Sequence, residues 1–181
     1  MRPEPLPPQG PWHAVETAAK IPGMTLHFTR RGVLAMLLGL VVVGPARAQK
    51  AEPFKTGALA IQTANGRHHF TVEIALSDRQ QEQGLMFRRS LAPDAGMLFD
   101  YKSPTQITMW MKNTFIPLDM IFIGADGRIV RIAERTVPQS AEIIPSGAPA
   151  RAVLEVNGGT AQRLGIKVGD KVIADVLGTK S

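Results

Sequence analysis

Apolar and polar side chains alternate in short stretches through the second half of this chain. The clearest is His68 to Leu76, where Phe70, Val72 and Ile74 interleave with His69, Thr71 and Glu73. That is the period of a strand with one buried and one wet face. With Ala58 to Thr63 it reads as a hairpin around Asn65-Gly66, a dipeptide suited to the positive backbone angles of tight turns. Asp119 to Gly124 is apolar on both faces, the pattern of a central strand, and Ala125-Asp126-Gly127-Arg128 turns it back into a strand over Ile129 to Val137. Met97 to Phe99, Ile107 to Lys112, Ala152 to Val156 and Lys171 to Val176 complete the predicted strands. Leu91 to Gly96 and the proline-bearing Gln139 to Ala150 read as loops.

Two helices are expected, both short. Ser77-Asp78-Arg79-Gln80 fits a capping box, in which the serine accepts from a free backbone donor while the glutamine reaches back. The helix it opens, Asp78 to Gln83, is stopped by Gly84. Asn157 and the paired glycines lead into a second helix over Thr160 to Leu164, ended by Gly165. Many short strands, close turns and two brief helices predict one mainly β domain over residues 57–178, a sandwich or jelly-roll-like fold or a barrel.

A different pattern lies upstream. Thr29-Arg30-Arg31-Gly32 precedes an apolar run from Val33 to Val43, and Pro45-Ala46-Arg47-Ala48 follows it. A basic head, a run of 11 apolar or small residues and a small-x-small end form an export signal cleaved after Ala48. Spanning a bilayer takes about 20 apolar residues, so the segment addresses the chain without leaving a stable membrane anchor. The expected location is the periplasm or the exterior. The paired arginines fit the twin-arginine route, and the ordinary secretory route fits as well. Residues 1–23, rich in proline and without apolar period, read as disordered. Met24 would start a compact signal over 24–48, with Met1 to Gly23 an over-long reading frame. Residues 49–56 read as a linker.

Removing the first 48 residues leaves 133, with 16 Lys and Arg against 13 Asp and Glu, a net charge of +3. A small surplus without a basic run argues against nucleic acid as partner. The chain has no cysteine, which excludes disulfides, thiolate nucleophiles and the common structural zinc sites. Only His68 and His69 remain beyond the signal, and adjacent residues on a strand point to opposite faces. No metal and no cofactor is expected. Five methionines lie in the domain: Met86, Met97, Met109, Met111 and Met120. Clustered thioethers suit Cu(I), but strand alternation at Met109 and Met111 favours core filling.

The candidate chemistry centres on Thr108 to Thr114. Alternation puts Ile107, Met109 and Met111 on one face and Thr108, Trp110 and Lys112 on the other. An indole between a hydroxyl and an ammonium makes a plate for a small polar ligand; a second sheet covering Trp110 is the structural alternative. Asp119 shares a face with Ile121 and Ile123, so its carboxylate needs a partner, either Lys112 or a backbone donor. Glu155 shares a face with Val153, and a solvated position beside Arg151 is its structural reading. Asn113, Thr114 and Arg88 complete the proposed ligand-binding set with Trp110, Lys112, Asp119 and Glu155. No nucleophile-base pair and no phosphate-cradling loop stand out.

These residues carry a resemblance. Gln83-Gly84-Leu85-Met86-x-Arg88, Gly96-Met97-Leu98-Phe99 and Trp110-Met111-Lys112-Asn113-Thr114-x-Ile116-Pro117-Leu118-Asp119 are similar to the bacterial and archaeal family called domain of unknown function 192. Val153-Leu154-Glu155 and Gly165-Ile166-x-x-Gly169-Asp170 fit its closing motifs, so the likeness covers roughly Leu59 to Val176. It implies a small, mostly β domain of sandwich or jelly-roll type, frequently exported, and assigns no activity. Three functions follow as expectations. The first is a non-catalytic module binding a small polar ligand. The second is an envelope hydrolase with Asp119 and Glu155 as acid and base, which requires both carboxylates in one cavity. The third is a structural partner of an envelope complex. The residue inventory favours binding over catalysis.

Overall fold

Alternation and turn chemistry shape the first hairpin. The computed structural model describes residues 53–179, and in it β1 (Lys55–Thr63) pairs antiparallel with β2 (Gly66–Ala75), Thr63 facing Gly66. The turn is held by the Thr63 hydroxyl, which accepts from Asn65 N at 3.1 Å and donates to Gly66 O at 3.1 Å. The expected export signal at 24–48 and the segment 1–23 lie outside the described residues. Strand β1 starts at Lys55, so the last two residues of the expected 49–56 linker belong to the sheet.

Helix α1 (Asp78–Gln83) forms where the capping box predicts it. Gln80 N donates to Ser77 Oγ at 3.2 Å, and Gln80 Oε1 accepts from Ser77 N at 3.3 Å and Leu76 N at 2.9 Å. The helix serves as the crossover that brings β3 (Ala95–Thr105) back parallel to β2, the one parallel pairing in the sheet. Parallel neighbours need such a connection because a tight turn cannot reverse the chain twice. The remaining elements are β4 (Thr108–Met109), β5 (Leu118–Ile123), β6 (Ile129–Thr136), β7 (Ile144–Pro145), β8 (Ala150–Asn157), α2 (Thr160–Leu164) and β9 (Lys171–Ile173).

Seven strands form one sheet in the order β6-β5-β8-β3-β2-β1-β9, while β4 and β7 pair separately. The described domain is mainly β with two short helices, and its sheet curls into a half-barrel. The curl brings the ends of the sheet together. Strand β9 pairs with β1 and also meets the start of β6, where Val172 N donates to Gly127 O at 2.8 Å and Ile129 N to Asp170 O at 3.0 Å.

The two faces of this sheet are both apolar. Inside the curl, Leu59, Ile61, Phe70, Val72, Leu98, Ile121 and Leu154 pack together. On the outer face, Met97, Phe99, Met111, Leu118, Met120, Phe122 and Val153 form a second core. Strand β5 supplies alternate residues to both, which is why all but one of its residues, Asp119, are apolar and all six are buried. Burying each such large side chain contributes about 1.5–3 kcal/mol.

The middle of the chain departs from its periodicity. The expected strand Ile107 to Lys112 contracts to Thr108–Met109, because Met111 N bonds Ser140 O at 3.0 Å and Thr114 N closes a turn onto Met111 O at 3.0 Å. The expected loop Gln139 to Ala150 supplies the two-residue partner β7. Strand β3 runs beyond Phe99 to Thr105, with an irregularity after Asp100 where Lys102 adopts φ 67°. Asp100, almost wholly buried, accepts there from Lys102 N at 2.9 Å and Lys102 Nζ at 3.1 Å.

Candidate functional site

Strand alternation on β8 sends Val153 and Glu155 to the outer core while Leu154 and Val156 face the interior of the curl. Glu155 stands opposite Met97 on one neighbouring strand and Met120 on the other, both fully buried. Its own exposure is 4%, and no hydrogen bond or ion pair holds its carboxyl among the described residues. Burial raises its pKa from 4.5 to about 8. At neutral pH the group is therefore mostly a protonated acid, able to donate as well as accept. Tyr101 feels the same surroundings: burial first, then the Glu155 charge, lifts its phenol to about 12. Its hydroxyl donates to Met109 Sδ at 3.5 Å.

Glu155 lines a narrow cavity of about 30 Å³, room for one or two waters or for one functional group. One wall is the end of α1 and the turn after it, from Gln81 to Met86. Gln81 Nε2 anchors this wall by donating to Asp100 O at 3.1 Å. Gly84, at φ 47°, lets the helix end close against Phe99, since a Cβ there would stand 3.2 Å from Phe99 Cζ. The other wall carries Met109, Trp110, Lys112 and Thr114.

Trp110 is 46% exposed. The indole is thus not covered by a second sheet, and Lys112 Nζ lies 5.9 Å from the centre of its ring, a cation-π distance. Thr114 is buried, with Oγ1 donating to Lys112 O at 3.4 Å. Four of the residues singled out from sequence, Trp110, Lys112, Thr114 and Glu155, therefore border one hollow. Glu155 is enclosed there rather than solvated beside Arg151.

The other three sit elsewhere. Asn113 occupies the adjoining turn at φ 58°; its carbonyl accepts from Phe87 N at 2.8 Å and its Nδ2 meets Met86 Sδ at 3.8 Å. It joins the α1 turn to the Trp110 segment without lining the cavity. Arg88 forms a forked pair with Glu73 at 2.8 Å and 2.5 Å and borders a separate hollow. Asp119 is fully buried on the inner face, where its carboxylate accepts from Arg135 N (2.8 Å), Gly159 N (2.9 Å) and Ala161 N (2.8 Å). Backbone donors satisfy it, and Lys112 plays no part.

This arrangement overturns the paired-carboxylate hydrolase. Asp119 faces Val156 in the ladder and Glu155 faces Met120, so the two carboxyls project from opposite faces of one sheet. No single cavity holds both.

Sequence reasoning missed the α1 wall. The capping box locates the helix, but nothing in the local pattern says that its far end faces Trp110. The methionines divide: Met97, Met111 and Met120 are fully buried, whereas Met86 and Met109 border the cavity. Among the described residues, no group of three or more His, Asp or Glu side chains is placed to hold a metal ion.

Comparison with known proteins follows the same residues. The sequence profile of DUF192, described as Uncharacterized ACR, matches residues 60–174. A putative transcription regulator from Sinorhizobium meliloti 1021 has a crystal structure similar to this one at 47% identity and TM-score 0.67, covering 68% of this chain and 97% of its own. A protein of unknown function from Novosphingobium aromaticivorans DSM 12444 is similar at 44% identity and TM-score 0.66, covering 68% of this chain and 88% of its own. Among curated proteins, none matches the sequence.

Proposed function

The chain belongs to the DUF192 family, and from its Glu155 cavity we propose that it is a non-catalytic binding module for a small polar ligand. Glu155 carries this reading. A buried carboxyl without a protein partner costs free energy unless something supplies hydrogen bonds to it, and its hollow opens beside a half-exposed indole. One polar end group of the ligand, a hydroxyl, amide or amine, enters to Glu155. The remainder lies against Trp110, with the Lys112 ammonium at the rim for an acceptor.

The module works outside the cytoplasm. The basic head, apolar run and Ala-x-Ala end of residues 24–48 support export, and the absence of cysteine is compatible with it. Nucleic acid is not among its partners on this reading, since a net charge of +3 without a basic run supplies little attraction for phosphate backbones.

The test is a ligand screen on the full chain, read by thermal shift and by Trp110 fluorescence in a Trp12→Phe background. A compound that stabilises the wild type should lose its effect in Trp110→Ala and in Glu155→Gln. Retained stabilisation in both variants would place the site elsewhere.

A further inference from the structure

A second hollow lies apart from the one Trp110 borders. It is an open groove of about 580 Å³, within the size range of small-molecule sites. Its lining shares no residue with the Glu155 cavity. Two arginines line it, Arg135 and Arg163, together with Thr160 and Gln162, and no acidic residue does; Arg163 also borders a neighbouring hollow with Asp94. Arg135 Nη2 donates to the neutral Gln162 Oε1 at 3.0 Å. Neither arginine has a carboxylate partner among the described residues.

The groove is held in shape at a cost. Arg135 adopts φ 49°, a left-handed conformation that an L residue with a long side chain enters at about 1–2 kcal/mol. Asp119 imposes it. One carboxylate oxygen accepts from both Arg135 N and Gly159 N, and the other accepts from Ala161 N, so a fully buried charge ties β6 to the start of α2. At Gly159, φ 88°, a Cβ would stand 2.8 Å from Arg135 Nη2, so a side chain there would be strained and would push the guanidinium aside. A strained residue, a dedicated buried acid and a glycine all serve to place one unpaired cation in the groove.

We propose that the Arg135–Arg163 groove is a second binding site, for a small multivalent anion bearing phosphate or carboxylate groups. Planar guanidiniums recognise both groups through paired hydrogen bonds. Side chains make the recognition, because Asp119 already occupies Gly159 N and Ala161 N and Pro117 O holds Gly158 N. Two arginines gathered in one hollow suit a compact anion, whereas nucleic acid calls for a longer basic stripe.

Isothermal titration calorimetry on the full chain decides it, with sodium pyrophosphate and sodium citrate as the two probes and a short single-stranded oligonucleotide as the third. At least one of the first two should bind, and which one does identifies the anion group. Arg163→Gln should weaken that binding about tenfold, as expected for losing a charge-assisted contact. Arg135→Gly relieves the left-handed strain, so it should melt no lower than the wild type and lose the binding. Arg79→Gln, an exposed cation on α1 outside the groove, should bind as the wild type does. No binding of either small anion, equal loss in Arg79→Gln, or tighter binding of the oligonucleotide would overturn the proposal.

Discussion

Asp119 and Glu155 lie one ladder position apart on adjacent strands, yet their carboxyls leave the sheet on opposite faces. The consequence is a division of labour. Asp119 is satisfied by three backbone donors and organises the inner end of β6 and α2. Glu155 has no such donors, and burial holds it largely protonated. Two buried acids on neighbouring strands thus sit in different surroundings, one bonded by three backbone N–H groups and the other by no donor among the described residues.

Stability should fall as pH rises past the ordinary carboxylate range. The folded protein keeps the Glu155 proton up to about pH 8, while the unfolded chain loses it near 4.5. Glu155 therefore contributes fully below about pH 4.5, and that contribution is lost progressively up to about pH 8, at most about 1.4 kcal/mol per pH unit crossed. Urea unfolding between about pH 4 and about pH 9 should show the slope in the wild type and a flatter profile in Glu155→Gln. An identical slope in both would remove Glu155 as its source.

Asp119→Asn should be severely destabilising. The amide offers one acceptor oxygen and turns an NH2 group toward backbone donors, so at least one buried N–H is left unpaired. The expected loss is about 2–4 kcal/mol, measured as a lower urea midpoint with an unchanged slope.

Trp110→Ala, in contrast, should cost little stability. The indole is half-exposed, so the expected change is about 1 kcal/mol or less. The variant should keep a wild-type circular dichroism spectrum while losing the ligand response of the Glu155 cavity. A large stability loss would make Trp110 a core anchor instead.

Gly84→Ala should strain the wall of that cavity. At φ 47° the new Cβ meets Phe99 Cζ at 3.2 Å, so the α1 end must shift outward. A destabilisation of about 1–2 kcal/mol is expected, with faster amide exchange in Gln81 to Met86 than in β1 and β2. Exchange unchanged at those positions would mean that the wall tolerates the side chain.

The amino-acid sequence by itself determined the local pieces. Ser77 and Gln80 specify α1 through hydrogen bonds within four residues, Asn65 and Gly66 mark the first turn, and the alternation of Phe70, Val72 and Ile74 decides which side of β2 is buried. The two-sided apolar pattern within Asp119 to Gly124, carried by Met120, Ile121, Phe122 and Ile123, likewise marks an interior strand. Each signal is short-ranged, so a single sequence carries it. Only the tertiary structure decided which pieces meet. The crossover that lays β3 parallel to β2, the shortening of the Trp110 strand by Ser140 and the approach of the α1 end to Glu155 depend on contacts dozens of residues apart. Burial depends on them too: Glu155 reads from its neighbours as an acid beside Arg151, whereas Met97 and Met120 on the adjacent strands and the α1 end and Trp110 segment around its cavity enclose it. Periodicity reports the face a side chain takes, and packing alone reports what that face meets.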